Sequence, residues 1–511
     1  MRDIARVVAR NKLLTLSQEE LDAATQARDP MYSANRAGVY RASCRWKDNV
    51  LYLVGRDTQQ RRLLACSAKE ERTPFGGKPS RVEGFFATEI PMNAKNAGIL
   101  QGLFPFLVPV IPEPGTPSIG FGDRLGNATP AHVRLAKRYK LFPFFAQQSI
   151  RELQATAREY DQVLADAVFG VFQEGYTDGF GADADHLRDI AQVKRTSKSM
   201  PSLVTTDISD YLKPGVDEME NRALQEAFRG LPKKEQRRIR RTYSGRTVNL
   251  GGASVRFRPG DAEKAAVKFL EGIGYAEKAY KAAVKRQPQA QIEFTVDEIP
   301  VVSTAADHYF IANEFRIREI PLYSIAFRFP GSMHKGVDFE GDTRAFDSAF
   351  TEHVNIASAL GGHRVSVHSG SDKFAIYPIV ARRAGSNFHL KTSGTSWLEA
   401  MRTIAEVDPD LYRDIHRLAL EVYPELIAKY EVTADIGQVP DIESLRDRQL
   451  RDLFSNPHWR QLLHISYGGI LRNAEIASRI RATLHREEEA YYANLQRHLG
   501  AHVEGLRVAK R

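Results

Sequence analysis

The chain has 511 residues, 42% hydrophobic and 26% charged, which is enough apolar content to bury a core in one large domain or two to three smaller ones and excludes a disordered polymer. Its two cysteines, Cys44 and Cys66, exclude a disulfide framework and a thiolate zinc site, so any metal must rely on histidine and carboxylate ligands. The net charge of +9 points to an anionic partner, either a nucleic acid or an acidic metabolite.

The N-terminus, M-R-D-I-A-R-V-V-A-R-N-K, carries charges where a signal peptide needs an apolar run. The longest apolar run, Ile99 to Ile111, is broken by Gln101, Gly102, Pro105 and Pro109 and is too short to span a bilayer. A cytoplasmic protein without a membrane partner is expected. Residues 1–115 read as an added N-terminal region: a helix over Ser17 to Gln26, then strand-like pieces at 38–42, 49–54 and 62–66 separated by charged or Gly/Pro turns, as in a small antiparallel cap. Pro112 to Pro117 reads as a linker.

From 116 to 470 short apolar strands end in polar residues and are followed by helical stretches. Eight candidate strands fall at 119–123, 141–148, 179–186, 292–297, 323–329, 365–368, 388–391 and 464–467. Eight strand-to-helix units in series predict an α/β fold, a (β/α)8 TIM-type barrel, with a doubly wound sheet as the alternative. The long intervals 187–291 and 392–463 must hold extra helices. Residues 471–511 read as a charged, helical C-terminal tail that packs on the barrel or on a second subunit, so a homo-oligomer is compatible with the sequence. The basic run Lys233 to Arg241 is the best support for nucleic-acid binding, but no aromatic-interleaved stripe or RNP-like motif accompanies it, and a solvated helix face explains it as well.

In a barrel the C-terminal strand ends meet around one axis, so distant motifs can build one site. Gly179-Phe180-Gly181-Ala182-Asp183-Ala184-Asp185-His186 is the densest of these. A helix cap needs one Asp, not Asp-x-Asp-His, which makes His186 a candidate metal ligand and Asp185 a candidate base. His368 ends the apolar strand at 365 and opens into Ser369-Gly370-Ser371-Asp372-Lys373, with Lys373 as an anion partner. His334 sits in a Gly-bounded loop after the strand at 325–329. In Ile292-Glu293-Phe294-Thr295-Val296-Asp297, period 2 turns Glu293 into the barrel if the apolar face meets the helices, with Asp297 at the rim in reserve. His389 and Lys391 lie on the seventh predicted strand, and Asp123, Arg124, Gln147 and Gln148 follow the first and second. All of these fit sugar-hydroxyl or carboxylate recognition. Three or four histidines with carboxylates at strand ends form a divalent-metal pattern. His132, His308, His353 and His363 are assigned to surfaces or cores.

The segments G-F-G-A-D-A-D-H-L (179–187), V-H-S-G-S-D-K-F-A-I-Y-P (367–378), H-L-K-T-S-G-T-S-W-L-E-A (389–400) and F-G-D-R-L-G-N-A-T-P-A-H (121–132) resemble the bacterial tagaturonate/fructuronate epimerases. The resemblance runs in order from about residue 95 to about 475. It implies a barrel enzyme of hexuronate catabolism that uses a divalent metal (Mn, Zn, Ni, Fe or Co) to interconvert two small sugar acids. The family's metal ligands would fall on His186, His334 and His368, its proton acceptor on Asp185 and its donor on Glu293. Asp123, Arg124, Gln148, Lys373, His389 and Lys391 are the expected substrate contacts. The two keto-acids differ at C4, one carbon beyond the position acidified by the C2 ketone, so reversible C3–C4 cleavage is the expected chemistry, ahead of direct deprotonation. The rivals are a metal-dependent aldolase or isomerase on a related sugar acid, and a basic nucleic-acid-binding protein.

Overall fold

The computed structural model describes residues 1–34, 36–213, 215–251, 254–429 and 432–511. Eight parallel strands close a barrel: β1 (Ser118–Phe121), β2 (Phe142–Ser149), β3 (Gly181–Leu187), β4 (Leu203–Asp207), β5 (Gln291–Thr295), β6 (Leu322–Ala326), β7 (Arg364–Val367) and β8 (Phe388–Thr392). Each strand pairs with its sequence neighbour, and β8 returns to β1 in the register His389↔Ser118 to Thr392↔Phe121. Helices separate the strands, so the crossovers keep the sheet parallel and cover its outer face.

One wall differs from the sequence reading. The predicted strand at 464–467 lies inside the helix Pro457–Arg472, and the missing wall is β4, within the long interval 187–291. A four-residue alternation cannot separate period 2 from period 3.6. The wider spacing of Trp459, Leu462, Leu463 and Ile470 is helical, and Asn456 caps the helix by accepting from the Trp459 N–H at 3.0 Å ahead of Pro457 at its first turn. The strand at Arg364 is therefore the seventh wall and that of His389 the eighth.

The barrel floor is apolar, with Phe142, Phe144, Leu203 and Tyr323 in one cluster under the polar upper half. Residues 31–90 form a seven-stranded antiparallel sheet. Alternate residues of its central strands bury both faces: Val50, Tyr52 and Val54 join the barrel core, while Leu51 and Leu53 pack with Ile4 and Val8 of the helix Arg2–Arg10. The C-terminal helix Glu488–Gly505 ties these parts together. Its buried Glu488 accepts from the Tyr40 hydroxyl at 2.6 Å and pairs with Arg56 at 2.7 Å. The basic run forms the helix Lys233–Tyr243, with Ile239 and Tyr243 buried and Arg238 paired to both Glu235 and Glu314. Among the described residues, no helix is long and apolar enough to cross a membrane.

Three of the histidines assigned to surfaces or cores are buried and joined in a chain outside the barrel: His308 Nδ1 meets His353 Nδ1 at 3.0 Å, and His308 Nε2 meets His363 Nε2 at 2.8 Å. Burial pushes His353 down to about 3 and His363 to about 4, and burial plus the two neighbours hold His308 well below the usual imidazole range. All three fold as neutral rings, whereas unfolded imidazoles take a proton near pH 6.5. Their contribution to stability is therefore complete above about pH 6.5 and is lost as the pH falls toward the depressed folded values. Calorimetry should show Tm falling between about pH 7 and about pH 5, and falling less in a His363→Gln variant; an equal fall in both proteins would contradict this account.

Candidate active site

The C-terminal strand ends enclose a buried ionic cluster. Lys391 on β8 places Nζ 2.6 Å from Asp183, 2.7 Å from Asp185 and 2.5 Å from Glu293, and it donates to Thr205 Oγ1 at 2.8 Å. Four strands, β3, β4, β5 and β8, thus converge on one ammonium. Burial disfavours each carboxylate, but Lys391 and the nearby imidazoles outweigh it and hold Asp185 and Glu293 well below the usual range. At Asp183, burial and the two neighbouring carboxylates win over Lys391 and raise it to about 7.

Above the cluster stand two imidazoles. A regular strand would send Asp185 and His186 to opposite faces. His186 instead has φ 53°, and the β3–β4 register shifts between Ala184 and Leu187, so both side chains line the cleft. His186 Nδ1 lies 2.9 Å from Asp185 Oδ1, and His368 Nε2 lies 2.6 Å from Glu293 Oε1. One nitrogen of each ring is thereby engaged by a carboxylate, and the ring centroids are 5.0 Å apart. Ligand atoms of His186, His368 and Asp297 lie within 4.8 Å of one another. His368 Nδ1 is buried without a hydrogen-bond partner, 3.5 Å from Asp297 Oδ2. Burial would lower His368, but Glu293 and Asp297 outweigh it and push the ring up to about 10. An orphaned nitrogen, a second imidazole and a carboxylate, each ring backed by a carboxylate at its other nitrogen, fit a divalent metal.

The other expected site residues divide. Arg124 lines the same cleft, pairs with Glu152 at 2.7 Å and lies against the ring of Tyr467. His334 lines an adjoining pocket that shares His368 and Asp297 with the cleft, but its ring is not in the converging group; it lies 3.9 Å from Glu340 within its own loop. Glu293 points into the barrel as period 2 requires, yet it is sealed beneath His368 and Lys391 and bonded to Ser324 and Thr205, so Asp297 and not Glu293 faces the cleft. Gln147 lines the cleft, whereas Gln148 turns the other way and accepts from Arg158 at 3.2 Å. Gly120 leaves the space Gln147 occupies: a Cβ there would lie 2.2 Å from its Oε1. Asp123 is a turn-former, accepting from the backbone N–H groups of Leu125, Gly126 and Ala128 at 2.7–3.2 Å. His389 is in the floor, 2.9 Å from Ser118 Oγ and against Phe144 and Tyr323, where burial pushes it down to about 3. Two residues earlier than Lys391 on the same strand face is one layer lower in the barrel. Lys373 spends its ammonium on the carbonyls of His334, Val337 and Ser371 at 2.5–3.0 Å.

Several wall residues escaped the sequence reading. Lys335 follows His334 and reaches the cleft, and Arg151 and Glu152 start the helix after β2. His464 reaches in from the helix Pro457–Arg472; it contacts Arg124 at 3.2 Å over Gly394, where a Cβ would lie 1.8 Å from the ring. The Asn-Pro start of that helix is the signal that would have placed it.

A family model described as tagaturonate epimerase (UxaE) matches residues 40–506. A tagaturonate/fructuronate epimerase from Thermotoga maritima is 36% identical over 471 residues, covering 92% of this chain and 96% of its own. The native crystal structure of a fructuronate-tagaturonate epimerase, UxaE, from Cohnella laeviribosi superposes with a TM-score of 0.86 at 30% identity, covering 93% of this chain and 97% of that one. A glycerol-complexed structure of that enzyme gives 0.85 at 31% identity, covering 92% and 96%.

Lys391→Met leaves three carboxylates around one apolar side chain. Removing one partner of a buried pair costs about 3–5 kcal/mol, so urea unfolding of this variant should show a loss of that order; a loss under about 1 kcal/mol would mean the cluster does not depend on the ammonium.

Proposed function

The chain belongs to the tagaturonate epimerase family and is an isomerase of the epimerase class, and on that premise we propose that it interconverts D-tagaturonate and D-fructuronate in the cleft above Lys391 with the help of a divalent metal. The observation that carries the reading is the convergence of His186, His368 and Asp297 within 4.8 Å, directly over a buried carboxylate–ammonium cluster. These three residues would hold the metal; the His334 ring stands outside their convergence. When bound, such an ion polarises the C2 carbonyl and offsets the negative charge that develops there. Two free, buried cysteines agree with a cytoplasmic setting.

The chain's own groups divide the remaining work. Epimerisation at C4 by carbon–carbon cleavage removes the proton of the C4 hydroxyl, turns C4 into an aldehyde and leaves the C3–C4 electron pair on the C2–C3 fragment. Re-addition to the other aldehyde face restores the bond, and the proton returns to the C4 oxygen. Asp185 is ionised, lines the cleft and accepts this proton. Glu293 works one contact deeper: it holds Lys391 at 2.5 Å and His368 at 2.6 Å, supporting proton return through the ammonium rather than touching the substrate. Ser369, Ser393 and Gln147 supply hydroxyl and amide partners for a polyhydroxy chain.

Metal-loaded protein incubated with D-tagaturonate should yield D-fructuronate by NMR, chelation should stop turnover and a divalent ion should restore it; unaltered substrate under Mn, Zn, Ni, Fe and Co alike would overturn the proposal. Run in D2O, the cleavage route keeps protium on C4 of the epimer. Deuterium at C4 would instead require direct deprotonation.

A further inference from the structure

The inner cleft presents four lysine and arginine side chains, and three are already matched. Lys391 is shared by three carboxylates, Arg124 pairs with Glu152, and Arg151 pairs with Glu298. Lys335 differs. Its half-buried ammonium donates to the hydroxyl of Ser369 at 2.6 Å, and among the described residues no carboxylate comes within ion-pair distance of it. An ammonium drawn out of water with a single neutral acceptor has unused donors and uncompensated charge, and both are satisfied by an anionic ligand.

The short segment that carries Lys335 is fixed with unusual care. Lys373, fully buried, donates to the carbonyls of His334 at 2.9 Å and Val337 at 2.5 Å. Arg460, from the helix Pro457–Arg472, donates to the Gly336 carbonyl at 2.9 Å. Three carbonyls flanking Lys335 are therefore held by two buried cations. Those cations are in turn held in place. Arg460 pairs with Asp372 at 2.8 Å, and Asp372 also meets His498 of the C-terminal helix at 2.5 Å. Gly336 has φ 75°, and a Cβ there would lie 3.0 Å from the Arg460 carbonyl, so the loop and the helix are in backbone contact. Buried lysine and arginine spent on backbone carbonyls are expensive in desolvation, and a solvent-exposed loop has no need of them.

We infer that Lys335 is the group that binds the carboxylate of the sugar-acid substrate, and that Lys373 and Arg460 are positioning residues that aim it. The inference rests on the reading of this cleft as a keto-hexuronate site. It also reassigns the anion grip from Lys373, where the Ser369 to Lys373 motif places it, to a neighbouring loop that Lys373 supports. Ser369, with φ 50°, is the hydroxyl that orients the ammonium from the other side.

The test is steady-state kinetics of the metal-loaded full-length protein with D-tagaturonate, together with inhibition by D-tagatose, a ketohexose lacking the carboxylate. Lys335→Met should raise KM about tenfold or more while kcat changes much less, and it should leave inhibition by D-tagatose unchanged. Lys335→Arg should recover most of the KM. Lys373→Met should raise KM in the same direction, and the double variant should be no worse than Lys335→Met alone, because both act through one ammonium. Additive losses in the double variant, or equal weakening of D-tagatose, would reduce Lys373 to a general structural role and overturn the positioning claim. Wild-type turnover with KM unchanged in Lys335→Met would overturn the carboxylate assignment. A wild type that leaves D-tagaturonate unaltered would instead overturn the functional reading on which the assignment rests.

Discussion

One buried ammonium organises the upper half of this barrel. Carboxylates from β3 and β5 would repel one another at the strand ends if they faced an apolar interior, and each would carry a desolvation cost of several kcal/mol. Lys391 draws Asp183, Asp185 and Glu293 to a common centre, and the Asp185 and Glu293 oxygens that meet the ammonium, Oδ1 and Oε1, are the same ones that meet the imidazoles of His186 and His368. The order of dependence runs upward: ammonium, carboxylates, imidazoles, then the open ligand positions that face Asp297. A site built this way is rigid because each layer is the hydrogen-bonding partner of the next. It is also dependent on its base, since every layer would shift if the lowest charge were removed.

Much of the barrel was legible from period and punctuation. Seven of its strands are short apolar runs ending in polar residues, and the fourth, Leu203–Asp207, escaped because Thr205, Thr206 and Asp207 make it look like a polar turn. Those same residues are polar for a reason: Thr205 bonds Asp183, Glu293 and Lys391 at the centre of the site. A strand that serves the site thus lost its hydrophobic signature to it. The motifs Asp-x-Asp-His and Val-His-Ser-Gly-Ser point to strand ends that meet in one cleft, but chemistry-bearing residue types alone do not tell a wall residue from its neighbour. Gln147 and Gln148 are one residue apart and face opposite ways; His389 and Lys391 share a face but occupy different layers. Lys373 belongs to a promising loop and points away from the cleft. Period 2 decides the first case, and depth along a strand decides the second. The third depends on a loop contact that arises only after folding. Backbone departures were invisible too: the left-handed φ of His186 lets it line the cleft together with its neighbour Asp185.

The segments outside the barrel are more than packing. The helix Pro457–Arg472 brings His464 to the cleft and Arg460 to the Gly336 carbonyl behind it, and the helix Glu488–Gly505 reaches the Ser369 to Lys373 loop through His498 and His502 while its first turn is locked to Tyr40 and Arg56 of the N-terminal sheet. His502 accepts from the Asp372 backbone N–H at 2.9 Å, which requires a neutral ring, and burial pushes it down to about 4. A chain of contacts therefore joins the antiparallel sheet, the last helix and the loops of β6 and β7. The barrel supplies the groups to which the proposed reaction assigns roles, and the added regions fix the loops that complete the cleft.

The central claim is that a divalent ion sits between His186, His368 and Asp297, above the Lys391 cluster. Anomalous diffraction from crystals of the full-length protein grown with Mn2+ tests it most directly. The account predicts a peak bonded to the His186 and His368 nitrogens that the carboxylates leave open, with Asp297 beside it. An empty cleft at saturating metal, or a peak at the Asp372, His498 and His502 group instead, would contradict it.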